Sequence, residues 1–177
     1  MDAKLILRGR VWKYGDDLDS ERMAPTHIWA HTTVKDEDLA KYAWIGIDPD
    51  FHKKVRPGDI IVAGKNCGYG SSRGGNHAKT LKATHLGGVV AESCSRLFAR
   101  SCINVGIPAW SCAGITQFAD EGDELEVNLE TGEVRNLTKG TSKQAKPPSE
   151  ISLKILMAGG LMEYIKSELK NKQQSAQ

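Results

Sequence analysis

Four consecutive apolar residues, Ile60-Ile61-Val62-Ala63, run straight into a stretch holding Gly64, Gly68, Gly70, Gly74 and Gly75, and no other feature of the chain narrows its fold as much. A short apolar run without polar alternation is the pattern of a strand buried on both faces. The turn Arg56-Pro57-Gly58-Asp59 launches it. After the glycines, residues 76–86 carry Ala78, Leu81 and Leu86 at near-helical spacing, Gly87-Gly88 ends that run, and Val89-Val90-Ala91 reads as the next strand. Strand, helix and strand in this order predict a βαβ unit with parallel strands and a right-handed crossover. The fold class is therefore α/β, a mixed sheet with flanking helices.

The flanking segments fit that frame. Residues 4–12 lack helical period and read as an opening strand closed by Asp16-Asp17. Residues 18–50 are irregular and loop-rich, with Pro25, Pro49 and a short helix starting at Asp36-Glu37-Asp38 and reaching Tyr42. A second helix fits residues 93–104, with Leu97, Phe98 and Ile103 facing inward, Gly106 as its cap and Pro108 as its stop. Residues 123–130 alternate Leu125, Val127 and Leu129 against acids, Thr131-Gly132 turns, and residues 133–137 return, which predicts an antiparallel ribbon with one wet face. Residues 139–149 read as a polar connector. Residues 150–170 carry Ile151, Ile155, Leu156, Leu161, Ile165 and Leu169, broken by Gly159-Gly160 into two helices. One domain over residues 1–170 and a disordered tail over 171–177 are expected.

Composition excludes several classes of function. The chain has 177 residues, with 24 Lys and Arg against 22 Asp and Glu, so no basic face is set up to neutralise a row of phosphates, and nucleic acid is a poor partner. A chain of this length buries roughly 70% of its unfolded surface and needs no disulfide or structural metal to fold. Nothing approaches the ~20 apolar residues of a membrane span, and the opening MDAKLILRGR returns to charge after three apolar residues, which predicts no signal peptide. Cys67, Cys94, Cys102 and Cys112 show no CxxC spacing and no zinc pattern with His. They read as reduced, mostly buried thiols of a cytoplasmic protein, with Cys67 alone in a loop that matters.

That loop is Gly64-Lys65-Asn66-Cys67-Gly68-Tyr69-Gly70-Ser71-Ser72-Arg73. Between a buried strand and a helix, glycines let the backbone turn sharply and expose its amides, and the helix start offers unpaired N–H groups. Ser71 and Ser72 add hydroxyls, and Arg73 adds a planar fork that suits a carboxylate. The ligand class is a carboxylate or a phosphate. A nucleotide-triphosphate loop is excluded, because no Gly-Lys-Ser/Thr follows. A dinucleotide site keeps Gly68-x-Gly70 and an acid, Glu92, about twenty residues on, but Arg73 occupies the place of the third glycine. In a simpler reading Ser71 or Ser72 caps the helix and the glycines only make the turn.

The run GDIIVAGKNCGYGSSR resembles the signature of the aconitase-superfamily swivel domain, which in leucine biosynthesis occurs as the separate small subunit of 3-isopropylmalate dehydratases. Further stretches match in order: VWKYGDDLDS, IGIDPDF, SCSRLFARSCINVGIP and ILMAGGLMEYIK. The resemblance implies a swivelling β/β/α domain and a hydro-lyase active only with a large subunit. That large subunit, not this chain, would carry a [4Fe-4S] cluster. It implies that Ser71 is the base that removes a proton next to a carboxylate, and that Ser72 and Arg73 hold a substrate carboxylate. Gly68, Gly70 and His77 would support the loop, with His77 hydrogen bonding at the helix start rather than reacting directly. The implied reaction is dehydration and rehydration of 2-isopropylmalate to 3-isopropylmalate. Relatives acting on 2,3-dimethylmalate, homoaconitate or a similar substituted malate are the alternatives. From another class, a non-catalytic carboxylate or dinucleotide binding module is the rival.

Two departures bear on the substrate. Where the resembling chains read the substrate's side chain with a Tyr-Leu-Arg-Thr-like stretch, this chain has Trp29-Ala30-His31-Thr32-Thr33, without the Arg that would hold an extra carboxylate. Trp29, His31 and Thr32 are therefore the expected specificity residues, favouring a small or apolar substituent over a third carboxylate. Gly74-Gly75-Asn76 replaces the single residue expected between GSSR and His-Ala, which displaces the helix start.

Overall fold

The computed structural model describes residues 5–30, 34–70 and 75–175. Seven strands form one sheet: β1 Ile6–Lys13, β2 Ile60–Ala63, β3 Gly88–Ala91, β4 Ala109–Ser111, β5 Glu124–Asn128, β6 Glu133–Asn136 and β7 Thr141–Gln144. Their order across the sheet is β4-β3-β2-β1-β5-β6-β7. β4, β3, β2 and β1 pair in parallel, and β1, β5, β6 and β7 pair antiparallel. β1 is thus the seam between two kinds of sheet.

The helices are α1 Ser20–Met23, α2 Thr26–Ala30, α3 Phe51–Lys54, α4 Asn76–Ala83, α5 Arg96–Asn104, α6 Ile115–Phe118, α7 Glu150–Ala158 and α8 Leu161–Ser175, with a 3₁₀ turn over Asp36–Tyr42. Strand periodicity sorts the apolar side chains into two cores. Ile61, Ala63, Val89 and Ala91 face one core with Met23, Trp44, Phe51, Ala78, Leu81, Phe98 and Cys102. Ile60, Val62 and Val90 face the other with Ile115, Leu125, Val127, Val134 and Leu156. Every residue of β2 and β3 is buried, which is why these strands read as unbroken apolar runs. In β5 the inward residues alternate with Glu124 and Glu126, so the ribbon has the expected wet face.

The expected βαβ unit is present, with β2 and β3 in parallel register from Ile60↔Gly88 to Ala63↔Ala91. The turn before β2 is held by Asp59, whose buried carboxylate accepts from Trp12 Nε1 at 2.8 Å and from the Arg56 amide at 2.9 Å. Several expectations need correction. Residues 139–149 are not only a connector, because Thr141–Gln144 adds β7 to the ribbon edge. Leu97 does not face inward; it is half exposed, and Phe98 beside it takes the core position. The chain from Asn171 to Ser175 continues α8 as helix rather than forming a disordered tail. Ile151, Met162, Ile165 and Leu169 lie exposed along α7 and α8.

Candidate functional site

The segments leaving β1, β2, β3 and β4 all emerge at the carboxyl edge of the parallel strands, the edge where open α/β sheets bind ligands. The glycine loop leaves β2 there, and its neighbours strap it down from two sides. On one side are residues 15–20: Gly64 N donates to Gly15 O at 3.0 Å, Asp17 N to Lys65 O at 2.8 Å, Gly68 N to Leu18 O at 2.8 Å and Ser20 N to Tyr69 O at 2.8 Å. Asp16 Oδ1 accepts from the Lys65 amide at 2.7 Å, and Asp17 Oδ1 from Asn66 Nδ2 at 2.8 Å. These contacts explain why an Asp-rich stretch follows the first strand.

Residues 93–95 hold the other side. Asn66 N donates to Ser93 Oγ at 2.9 Å, Cys67 N to Ser93 O at 2.9 Å, and Ser95 N to Cys67 O at 2.9 Å. Ser95 has two tasks. Its hydroxyl caps α5 by accepting from Phe98 N at 3.2 Å, and it donates to Gly68 O at 2.6 Å. The loop and the start of α5 are therefore one hydrogen-bonded unit. Ser93, Ser95, Asp16 and Asp17 were not singled out as site residues from the sequence; the capping position of Ser95 before an apolar helix was the available signal.

Gly68 and Gly70 both have positive φ, +76° and +88°. A Cβ on Gly68 would run into the Phe98 side chain, and one on Gly70 would stand 2.5 Å from Asp19 Oδ1. Both positions require glycine for shape as well as for conformation. Phe98 in turn stacks on His77, ring centroids 5.3 Å apart at 27°. His77 is 1% exposed, and among the described residues neither ring nitrogen has a hydrogen-bond partner. Burial lowers its pKa to about 4, so the ring is neutral. Among the described residues it makes no hydrogen bond at the helix start; its ring packs on Phe98, which lies against Gly68. Ser20 is buried beside Gly70 with its hydroxyl also unpartnered.

Of the residues expected at the site, Gly68 and His77 meet on Phe98, while Gly70 lies against Asp19 and Ser20. Ser71, Ser72 and Arg73 lie outside the described residues, immediately between Gly70 and the first turn of α4. His31 and Thr32 also lie outside them. Trp29 belongs to the backbone of α2, and its side chain is outside the described atoms. The N-cap of α4 is Gly75, in the left-handed conformation and without a side-chain bond; the simpler capping reading, which rests on Ser71 or Ser72, lies outside the described residues. Glu92 is equally unavailable for a ribose. Its carboxylate accepts from Gly114 N at 2.5 Å, Thr116 N at 2.9 Å and Thr116 Oγ1 at 2.7 Å, holding the start of α6. Burial pushes that carboxyl upward, but the three donors outweigh it and keep the pKa low.

Among the described residues, no three His, Cys, Asp or Glu side chains converge as a metal site. Cys67, Cys102 and Cys112 are buried and Cys94 is half-buried, all as free thiols. They do not form a cradle for an iron–sulfur cluster. The loop instead offers a hydrogen-bonded platform up to Gly70 at the sheet's carboxyl edge, and the described chain resumes at Gly75. No described helix is long and apolar enough to cross a membrane.

No family model matches the chain. It is 49% identical over 169 residues to the isopropylmalate/citramalate isomerase small subunit of Methanocaldococcus jannaschii, covering 95% of this chain and 98% of that one. It is 46% identical over 164 residues to 3-isopropylmalate dehydratase small subunit 1 of Methanopyrus kandleri, covering 92% and 94%. Its structure superposes on the crystal structure of a 3-isopropylmalate dehydratase from Methanocaldococcus jannaschii with a TM-score of 0.86 at 34% identity, over 96% of this chain and 99% of that one.

Proposed function

We propose that this chain, which belongs to the family of 3-isopropylmalate dehydratase small subunits, works with a cluster-bearing large subunit in the cytoplasm to interconvert 2-isopropylmalate and 3-isopropylmalate by removing and re-adding water. The observation that supports this most is the double strapping of the glycine loop, which holds residues 64–69, up to the start of the GSSR run, at the sheet's carboxyl edge. A rigid frame of this kind lowers the cost of holding a reacting group in place.

Ser71 takes the proton from the carbon next to a substrate carboxylate. A serine oxygen is a weak base in water, so the amides of the loop and the start of α4 must stabilise its charge in a cavity closed by the large subunit. Arg73 holds a carboxylate through both arms of its guanidinium, with Ser72 beside it. On the large subunit, an iron–sulfur cluster with an open iron would supply a Lewis acid for the departing hydroxyl. Trp29, His31 and Thr32 face the substituent of the malate. The name of the relative from Methanocaldococcus jannaschii pairs isopropylmalate with citramalate, two malates that differ in the size of an alkyl group.

The test is reconstitution. The purified chain mixed with its cognate large subunit should hydrate and dehydrate isopropylmalates, neither protein being active alone, and Ser71→Ala should remove that activity while the two proteins still associate. Arg73→Lys should lose most of it despite the retained charge. Full activity of the mixed Ser71→Ala complex would remove Ser71 from the mechanism. Running a panel of malates bearing methyl, isopropyl and carboxyl-bearing substituents defines the substrate.

A further inference from the structure

The mechanism leaves the cysteines unused, and two of them lie on either side of the strap that holds the glycine loop. Cys67 and Cys94 are direct partners in an isolated parallel bridge. The bridge is made by Cys67 N to Ser93 O and Ser95 N to Cys67 O, so Cys94 points its own amide away, to Ser111 Oγ at 3.0 Å. Paired residues across a sheet stand about 4.8 Å apart at Cα, inside the range of roughly 4.4–6.8 Å that a disulfide spans. Residues directly paired across a ladder turn their side chains to the same face, so the two thiols stand side by side. Cys94 Sγ also lies 3.8 Å from Trp110 O.

We propose that Cys67 and Cys94 are a reversible dithiol–disulfide pair, and that oxidation by a hydroperoxide ties the glycine loop covalently to the segment that caps α5. Cys94 is the attacking sulfur. It is the half-buried member of the pair, and the neighbouring Cys67 and Ser111 groups hold its pKa below the ordinary thiol value against the opposing effect of burial. Cys67 is fully buried beneath the loop, so it resolves rather than attacks.

The chemistry balances in two steps. The Cys94 thiolate attacks one oxygen of hydrogen peroxide, breaking the O–O bond to give a sulfenic acid and hydroxide. Cys67 sulfur then attacks the Cys94 sulfur, the S–O bond breaks, and water leaves. The pair loses two electrons and the peroxide is reduced to two waters. A low-molecular-weight thiol reverses it by exchange. Cys102 is buried in the same core cluster and is not a partner in the Cys67–Cys94 bridge.

Trypsin separates the partners cleanly, because Cys67 falls in peptide 66–73, Cys94 in peptide 83–96, and Cys102 and Cys112 together in peptide 101–135. The full chain is treated with hydrogen peroxide, quenched with catalase, alkylated under denaturing conditions and digested without reductant. The expected result is a peptide 66–73 cross-linked to peptide 83–96, removed by a phosphine reductant, and still formed in Cys102→Ala. In Cys67→Ala, Cys94 should accumulate as a sulfenic acid that dimedone captures. Recovery of both peptides fully alkylated after peroxide, or a cross-link that joins Cys94 to peptide 101–135 instead, overturns the proposal. Since the first readout uses the unmodified chain, a variant that fails to fold does not decide it.

Discussion

The two halves of the sheet share β1 and are otherwise built on different terms. On the parallel side, β2 and β3 are covered on both faces, and each strand hands the chain to a segment at the same edge, so loops from distant parts of the sequence meet there. On the antiparallel side, β5, β6 and β7 are joined by short turns, one face carries charge, and the pairs Arg8–Glu124 and Arg135–Glu126 lie in solvent. Among the described residues, the parallel half gathers the non-local loops, the strapped glycine loop among them.

The largest expected effect falls on the platform. Ser71→Ala should lower the rate of the reconstituted enzyme by about 10³-fold or more, with the melting temperature of the chain unchanged. Phe98→Ala removes the ring that packs under Gly68 and His77, and should cost about 3–5 kcal/mol in urea unfolding as well as activity. A loss of stability with full activity would separate the platform from the reaction and break the contrast drawn above.

His77 sharpens the comparison through pH. Its ordinary pKa is near 6.5 and burial lowers it to about 4, so the unfolded chain binds more protons between those values. The stability tied to the neutral ring is complete above about pH 6.5 and is lost as the pH falls toward 4, a total of roughly 3 kcal/mol. His77→Phe should flatten that acid limb relative to the wild type, measured as the unfolding midpoint against pH. A limb of unchanged slope would place the ring in water.

The ribbon supplies the smaller effects. Asn136 is buried and donates to Phe118 O at 3.1 Å and Asp123 Oδ2 at 2.7 Å, so Asn136→Ala should destabilise by about 1–3 kcal/mol and leave the catalytic rate of the surviving folded protein intact. Arg135→Ala breaks only exposed pairs with Glu126 and Glu133 and should shift neither midpoint nor rate.

Legibility followed the same divide. The strand, glycine loop, helix and strand were readable because burial on both faces erases polar alternation and glycines mark the turn. The ribbon was readable at Leu125 and Val127, where one face is dry. β7 was not, because Thr141, Lys143 and Gln144 lie largely outside the core and only backbone pairing to β6 makes a strand of them. β4 spans three residues, too few for any period. Leu97 misled because it neighbours Phe98 on a helix, where adjacent residues point about 100° apart and only one reaches the core. At the site, the motif itself drew attention, while the straps from Asp16, Asp17, Ser93 and Ser95 depend on distant segments meeting, which no local pattern encodes.

Placing β1 at the seam has a cost in time. Its partners are β2, about 50 residues later, and β5, about 120 residues later. The first strand to leave the ribosome therefore waits for residues 124–128 before both of its edges can be occupied. Until then its unpaired edge is open to pairing with neighbouring chains.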